Sequence, residues 1–178
     1  MSKNLSFVQV KKLFNLFSSY YNNIIQFNKT NQTKVRAPIF PESLSENIVR
    51  WFIINKEKRK CISPKIGDLS VGDKKIEVKC FTSQGPSSYG PNEPWDELWF
   101  LDASNIIKNP ISPEFKIYKC TLSNKSNKWM NLKMGVRKTF KSISKKGIRP
   151  RISFSRLRQQ IKPNLKLVYT GDLNGINK

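Results

Sequence analysis

No histidine occurs anywhere in the chain. That absence removes serine–histidine–aspartate and cysteine–histidine catalysis, nucleases with a histidine base, and zinc sites built on imidazole. Any hydrolysis must then rest on carboxylates, lysine or a metal ion. Cysteine is scarce too: Cys61, Cys80 and Cys120 are an odd number, and none stands in a CxxC pair. A disulfide framework and a thiolate zinc site are therefore disfavoured. The three thiols sit among apolar neighbours and read as buried, reduced side chains, which fits a cytoplasmic location. No run approaches the ~18 apolar residues that a membrane span requires. The opening MSKNLSFVQVKKLFNLF has no continuous apolar core followed by a small-residue cleavage site, so no signal peptide is expected.

Acids are the third shortage. Lys and Arg number 33 against 12 Asp and Glu, for a formal charge of +21 over 178 residues. The excess is unevenly spread: residues 1–41 carry +6, residues 42–118 carry 0, and residues 119–178 carry +15. A neutral middle between basic ends suggests a catalytic centre flanked by segments that grip a polyanion. A membrane surface is the rival partner, but neither a basic amphipathic helix nor a lipidation motif is evident. Nucleic acid is favoured. Hydrophobic residues make up 38% of the chain, enough for a packed core. With no linker, repeat or low-complexity tract, residues 1–178 read as one domain. It divides into a basic helical part (1–41), a catalytic core (42–118) and a basic DNA-binding part (119–178).

Leu5, Val8, Leu13, Leu16, Phe17, Tyr20, Tyr21 and Ile24 recur at helical spacing and predict a helix over 5–27. Two prolines then break the chain. Ser43 or Ser45 is expected to cap a second helix, whose apolar side is Ile48, Val49, Phe52 and Ile53. KIGDLSVGDKKIEVKCF reads as two short strands around a Gly-Asp turn. TSQGPSSYGPNEPWDE leaves no room for regular structure. LWFLDA and FKIYKCTL read as strands, SFSRLRQQI as a short capped helix and LKLVYTGDL as a final strand. The order is that of one α/β domain.

Alternation along KKIEVKC sends Ile76, Val78 and Cys80 to one face and Glu77 and Lys79 to the other. Pairing across the hairpin can set Asp68 beside Glu77. Adjacent carboxylates are costly unless a cation offsets them. Mg²⁺ suits them, because it takes a few carboxylate oxygens together with water and phosphate oxygens. A neighbouring lysine can orient water or stabilise charge on a phosphate. An acid, one residue, then lysine is a weak pattern alone. Asp73–Lys75 also fits it, within the turn. Glu114–Lys116 fits it on a strand-like segment downstream of Asp102, but without a tight hairpin. The Asp68, Glu77, Lys79 set is preferred.

Gly67-Asp68 followed by Ile76-Glu77-Val78-Lys79 resembles the PD-(D/E)xK nuclease superfamily, with glycine where proline is usual. EVKCFTSQGPSSYGPNEPWDELWFLDA and RPRISFSRLRQQI look like small type II restriction endonucleases. The resemblance spans roughly residues 44–170. It implies a central mixed β-sheet flanked by helices and double-stranded DNA as substrate. It also implies Asp68 and Glu77 as Mg²⁺ ligands, with Lys79 assisting the water. A helix before the hairpin often adds an acid, for which Glu46 is the candidate. Cleavage leaving a 5′-phosphate and a 3′-hydroxyl, by a homodimer on palindromic sites, is the corresponding expectation.

Base readout needs side chains that reach groove edges. The loop offers Gln84, Ser87, Ser88, Tyr89 and Asn92; the basic end offers Arg149, Arg151, Arg156, Arg158 and Gln159. Arginine's planar fork matches guanine, so these arginines are expected to include a reader, while the lysines of 119–146 grip phosphate. Trp95 and Trp99 read as packing residues. Two other classes stay open. A structure-selective or repair nuclease would cut without discrete fragments, and a non-catalytic basic binding protein would not cut at all.

Overall fold

The computed structural model describes residues 4–36, 39–91 and 93–177. Helix α1, Phe7–Thr30, begins at a capping box: Ser6 Oγ accepts from Gln9 N–H, and the Gln9 side chain accepts from Ser6 N–H. Its buried stripe is Val10, Phe14, Phe17 and Tyr21. Helix α2, Glu42–Asn55, starts at Pro41 with φ −61°, not at a serine cap. Ser43 and Ser45 lie inside the helix, and Ser45 Oγ donates to the Glu42 carbonyl at 2.8 Å. Pro41 stands in extended backbone (ψ 131°) and has no side-chain acceptor for a cap, while Ser45 bonds backward within the first turn. Asn47 and Arg50 of α2 tie down the chain before α1: Leu5 N–H donates to Asn47 Oδ1 at 2.9 Å, and Arg50 donates to the Leu5 carbonyl.

Strand β1, Leu69–Val71, turns at Gly72 (φ +56°) into β2, Lys74–Phe81. The expected hairpin is present, with Leu69 opposite Ile76. Beyond it the loop is not irregular throughout, because Pro86–Ser88 form β3. There follow β4 (Glu97–Asp102), α3 (Ser104–Lys108), β5 (Phe115–Cys120) and α4 (Asn127–Met130). Next come β6 (Lys133–Gly135), β7 (Lys138–Thr139) and α5 (Phe140–Ser144). The chain ends with β8 (Arg151–Ser153), α6 (Phe154–Ile161), β9 (Leu165–Gly171) and α7 (Leu173–Asn177).

The central sheet has five strands in the order β1-β2-β4-β5-β9. It is mixed: β2 and β4 run parallel, and the other pairs are antiparallel. This is the α/β arrangement with a mixed sheet and flanking helices that the restriction-endonuclease resemblance implies. β4 explains its own continuous apolar run. Trp99 and Leu101 enter the core beneath α1 and α2, while Leu98 and Phe100 enter a second core on the opposite face.

That second core is roofed by the basic C-terminal half. Trp129, Leu132, Met134, Phe140, Leu157 and Ile161 point into it, while Lys125, Lys133, Lys138, Lys141, Lys145 and Lys146 stay exposed. Each buried large side chain contributes about 1.5–3 kcal/mol. The cations therefore project from a packed module that fixes the backbone carrying them. All three cysteines are free, and burial pushes the thiols up, Cys61 to about 12, which keeps them protonated.

Candidate active site

Asp68 stands one residue before β1, and Leu69 pairs with Ile76, so Asp68 falls opposite Glu77. Past Leu69 the hairpin offers no backbone acceptor to β2. The Asp68 carboxylate takes that place, its Oδ2 accepting from Val78 N–H at 2.8 Å. Glu77 and Lys79 share the face of β2 that turns away from the α1–α2 core, because Ile76 and Val78 are packed into that core. Lys79 Nζ lies 2.5 Å from Glu77 Oε1, and Glu77 is only 7% exposed. From the other side α2 brings Glu46, itself 8% exposed. All four line a single cleft of about 510 Å³.

The electrostatics of the cleft oppose those of the molecule. Its walls hold five carboxylates, Glu42, Glu46, Asp68, Glu77 and Glu93, against three cations, Lys75, Lys79 and Arg149. Burial pushes the carboxyl groups of Asp68 and Glu77 upward, and for Glu77 the neighbouring Asp68 charge adds to the rise. Lys79 pulls both back down, and the Val78 N–H does so for Asp68, without cancelling the rise. Glu93 also works against ionisation of both. The pair therefore lacks positive charge. Among the described residues no three carboxylates or thiols converge tightly enough to form a complete metal cage.

A family model for the Bsp6I restriction endonuclease matches residues 9–161. The chain belongs to that restriction endonuclease family. No curated protein and no solved structure matches it. The matched span runs from α1 to the last residue of α6 and contains every wall of the cleft. An endonuclease of this family acts on DNA, which accounts for the +21 charge.

The endonuclease's candidate DNA-contacting residues differ in exposure once folded. Gln84 is exposed in the loop, and Ser87 and Ser88 are half-buried on β3. Tyr89 does not present its ring to solvent. It is fully buried, its ring centroid 5.5 Å from that of Trp129 and 6.2 Å from that of Trp95, and so it cannot reach a base edge as the sequence led one to expect. The next inward position of the β3 alternation places it there. Trp95 and Trp99 are core residues, 2% and 0% exposed. Asn92 lies outside the described residues. Arg149 reaches the cleft mouth and pairs with Glu93 at 3.0 Å; Arg151 lies on β8; Arg156 and Arg158 are exposed on α6. Sequence reasoning missed Glu42 and Glu93 as cleft residues. Glu42 carries a faint signal, one helical turn before Glu46. Glu93 carries none, because only the fold of its loop returns it to the hairpin.

Proposed function

We propose that this endonuclease is a type II restriction enzyme that hydrolyses both strands of double-stranded DNA at a specific sequence. It uses Mg²⁺, leaves a 5′-phosphate and a 3′-hydroxyl, and acts as a homodimer. The observation that carries the reading is the meeting of Asp68, Glu77 and Lys79 in one cleft, which Glu46 of α2 and Arg149 of the basic half also line. Asp68 and Glu77 suit a hard divalent cation. They are neighbouring carboxylates under-supplied with positive charge, and Mg²⁺ accepts few protein oxygens and keeps water in its other positions. When bound, the ion would supply Lewis-acid stabilisation of charge on the scissile phosphate.

The chain's own groups do the rest. Val78 N–H and the hairpin register hold Asp68 in place against Glu77. Lys79, anchored on Glu77, would orient the attacking water and counter charge on the phosphate oxygens. Glu46 completes the acidic wall from α2. Water oxygen bonds to phosphorus as the bond to the 3′-oxygen breaks in line. One proton of the water is lost to the surroundings, and the departing 3′-oxygen gains one. The exposed lysines of 119–146 hold backbone phosphates, which predicts binding that weakens steeply with salt, at a slope of about −0.9 per contact.

The deciding experiment is a plasmid digest. Discrete fragments with Mg²⁺, none with EDTA and none with Asp68→Ala support the reading. Cutting without discrete fragments would instead fit a structure-selective nuclease, and no cutting in Mg²⁺ would reject the catalytic assignment.

A further inference from the structure

We infer that the two-stranded ribbon formed by β3 and β8 is the element that reads DNA sequence, with Arg151 as its principal base contact. This rests on the site-specific cutting proposed above.

In the sequence Pro86–Ser88, in the loop after the catalytic strand, and Arg151–Ser153, among the C-terminal arginines, lie more than sixty residues apart. In the fold they are one ribbon. Pro86 pairs with Ser153, Ser87 with Ile152 and Ser88 with Arg151, and Tyr89 N–H donates to the Pro150 carbonyl at 3.0 Å. The ribbon is not hydrogen-bonded into the central sheet; it packs one face on the second core and leaves the other outward. A two-stranded β-ribbon is one of the shapes the major groove admits. It is also tied to the chemistry at both strands. β3 follows β2 after a short loop, and Arg149, two residues before Arg151, lines the catalytic cleft.

Alternation decides which residues face outward. Ile152 is 3% exposed and packs in the second core, and Tyr89 is buried beside it. Arg151 and its partner Ser88 therefore belong to the opposite, outer face, and Arg151 is exposed. The four arginines of this region are not equivalent. Arg149 is held by Glu93, and Arg158 lies 5.7 Å from the Tyr118 ring. Arg156 projects from α6. Arg151 alone is presented on the ribbon, and among the described residues no carboxylate pairs with it. An unpaired guanidinium on a groove-sized ribbon suits the O6 and N7 edge of guanine.

The test begins from the wild-type digest, whose mapped fragment ends define the cognate site. Cleavage is then measured on that duplex and on duplexes with single base-pair changes, for wild type, Arg151→Lys, Arg151→Ala and Arg156→Lys. Arg151→Lys keeps the charge and removes the fork. It should cut the cognate-to-altered rate ratio by about 10- to 100-fold, with the loss confined to one G·C position. Binding to unrelated DNA should hold within about twofold. Arg156→Lys should change cognate and altered sites by a common factor. If Arg151→Lys keeps the ratio within about twofold, the ribbon assignment is overturned while the nuclease reading stands. A loss with Arg156→Lys alone moves the reader to α6 and equally overturns it. If wild type yields no discrete fragments, site-specific cutting and the ribbon assignment fall together.

Discussion

Glu77-Val78-Lys79 on β2 and Glu114-Phe115-Lys116 at the start of β5 share the same acid–apolar–lysine spacing. Each has an aspartate beside it, Asp68 opposite Glu77 and Asp102 paired with Lys116 across β4 and β5. The surroundings differ. On β2 the glutamate is 7% exposed, the lysine is drawn onto it, and α2 and the Glu93 loop close the cleft around them. At β5 both Glu114 and Lys116 are exposed, and the hollow of about 320 Å³ there also holds Lys108. Asp102 is occupied locally, its Oδ1 accepting from Ser104 N–H at 3.0 Å. The same acid–apolar–lysine spacing is thus a buried, charge-hungry site in one place and solvated surface in the other. The difference lies in what covers each strand, since burial makes neighbouring carboxylates expensive and water makes them cheap.

The contrast is broken most directly by alanine. Asp68→Ala and Glu77→Ala should each lower plasmid cleavage by at least about 10²- to 10³-fold, the scale of removing one preorganised electrostatic group. Asp102→Ala and Glu114→Ala should leave the rate within about twofold. If the second pair abolishes cutting and the first does not, the β5 hollow is the active site. Lysine should show a similar asymmetry in stability. Lys79→Met strands the Glu77 carboxylate in a buried setting and should cost on the order of 2–3 kcal/mol in urea titration, whereas Lys116→Met should stay within about 0.5 kcal/mol.

A smaller effect has the opposite sign. The Glu77 carboxyl is raised by burial and by Asp68, so its favourable contribution belongs to the neutral form. That contribution is present below the unfolded value and is lost as pH rises through the folded one. Glu77→Gln mimics the neutral form and should stabilise the fold at pH 7 by on the order of 1 kcal/mol, read as a higher melting temperature, while abolishing activity. Glu114→Gln should change neither. A Glu77→Gln protein that melts lower than wild type at pH 7 would contradict the electrostatic account of the cleft.

The smallest effect calibrates the others with an acid that folding favours. Burial alone would raise Glu57, but hydrogen bonds and charge from Lys119 and Arg59 outweigh it and hold the group below its ordinary value. Lys119 Nζ is 2.8 Å from Glu57 Oε1, and Arg59 Nη1 is 2.6 Å from Oε2. Its stabilisation is present above the unfolded value and is lost as pH falls through the folded one. Melting of the wild type should therefore decline more steeply than that of Glu57→Gln below about pH 4.5. Parallel curves would mean that the ion pair contributes nothing.

Much of this was settled by sequence alone. The lack of histidine left carboxylates, lysine or a metal ion as the means of any hydrolysis. Helical spacing predicted α1 and α2, and period-two alternation predicted the β1–β2 hairpin with Glu77 and Lys79 on one face. These are local properties, fixed by side-chain periodicity and one glycine turn. The resemblance pointed to the endonuclease family that the match over residues 9–161 establishes. Tertiary structure decided what depends on residues far apart. Pro86–Ser88 has no strand signal of its own and becomes a strand only because β8 supplies its hydrogen bonds. Tyr89 reads as a polar loop tip, yet it is buried because Trp95 and Trp129 come to meet it. Glu93 reaches the cleft only through the path of its loop. Backbone hydrogen bonds and aromatic burial are satisfied by whichever partner the fold brings near, and a one-dimensional pattern records the demand without naming that partner.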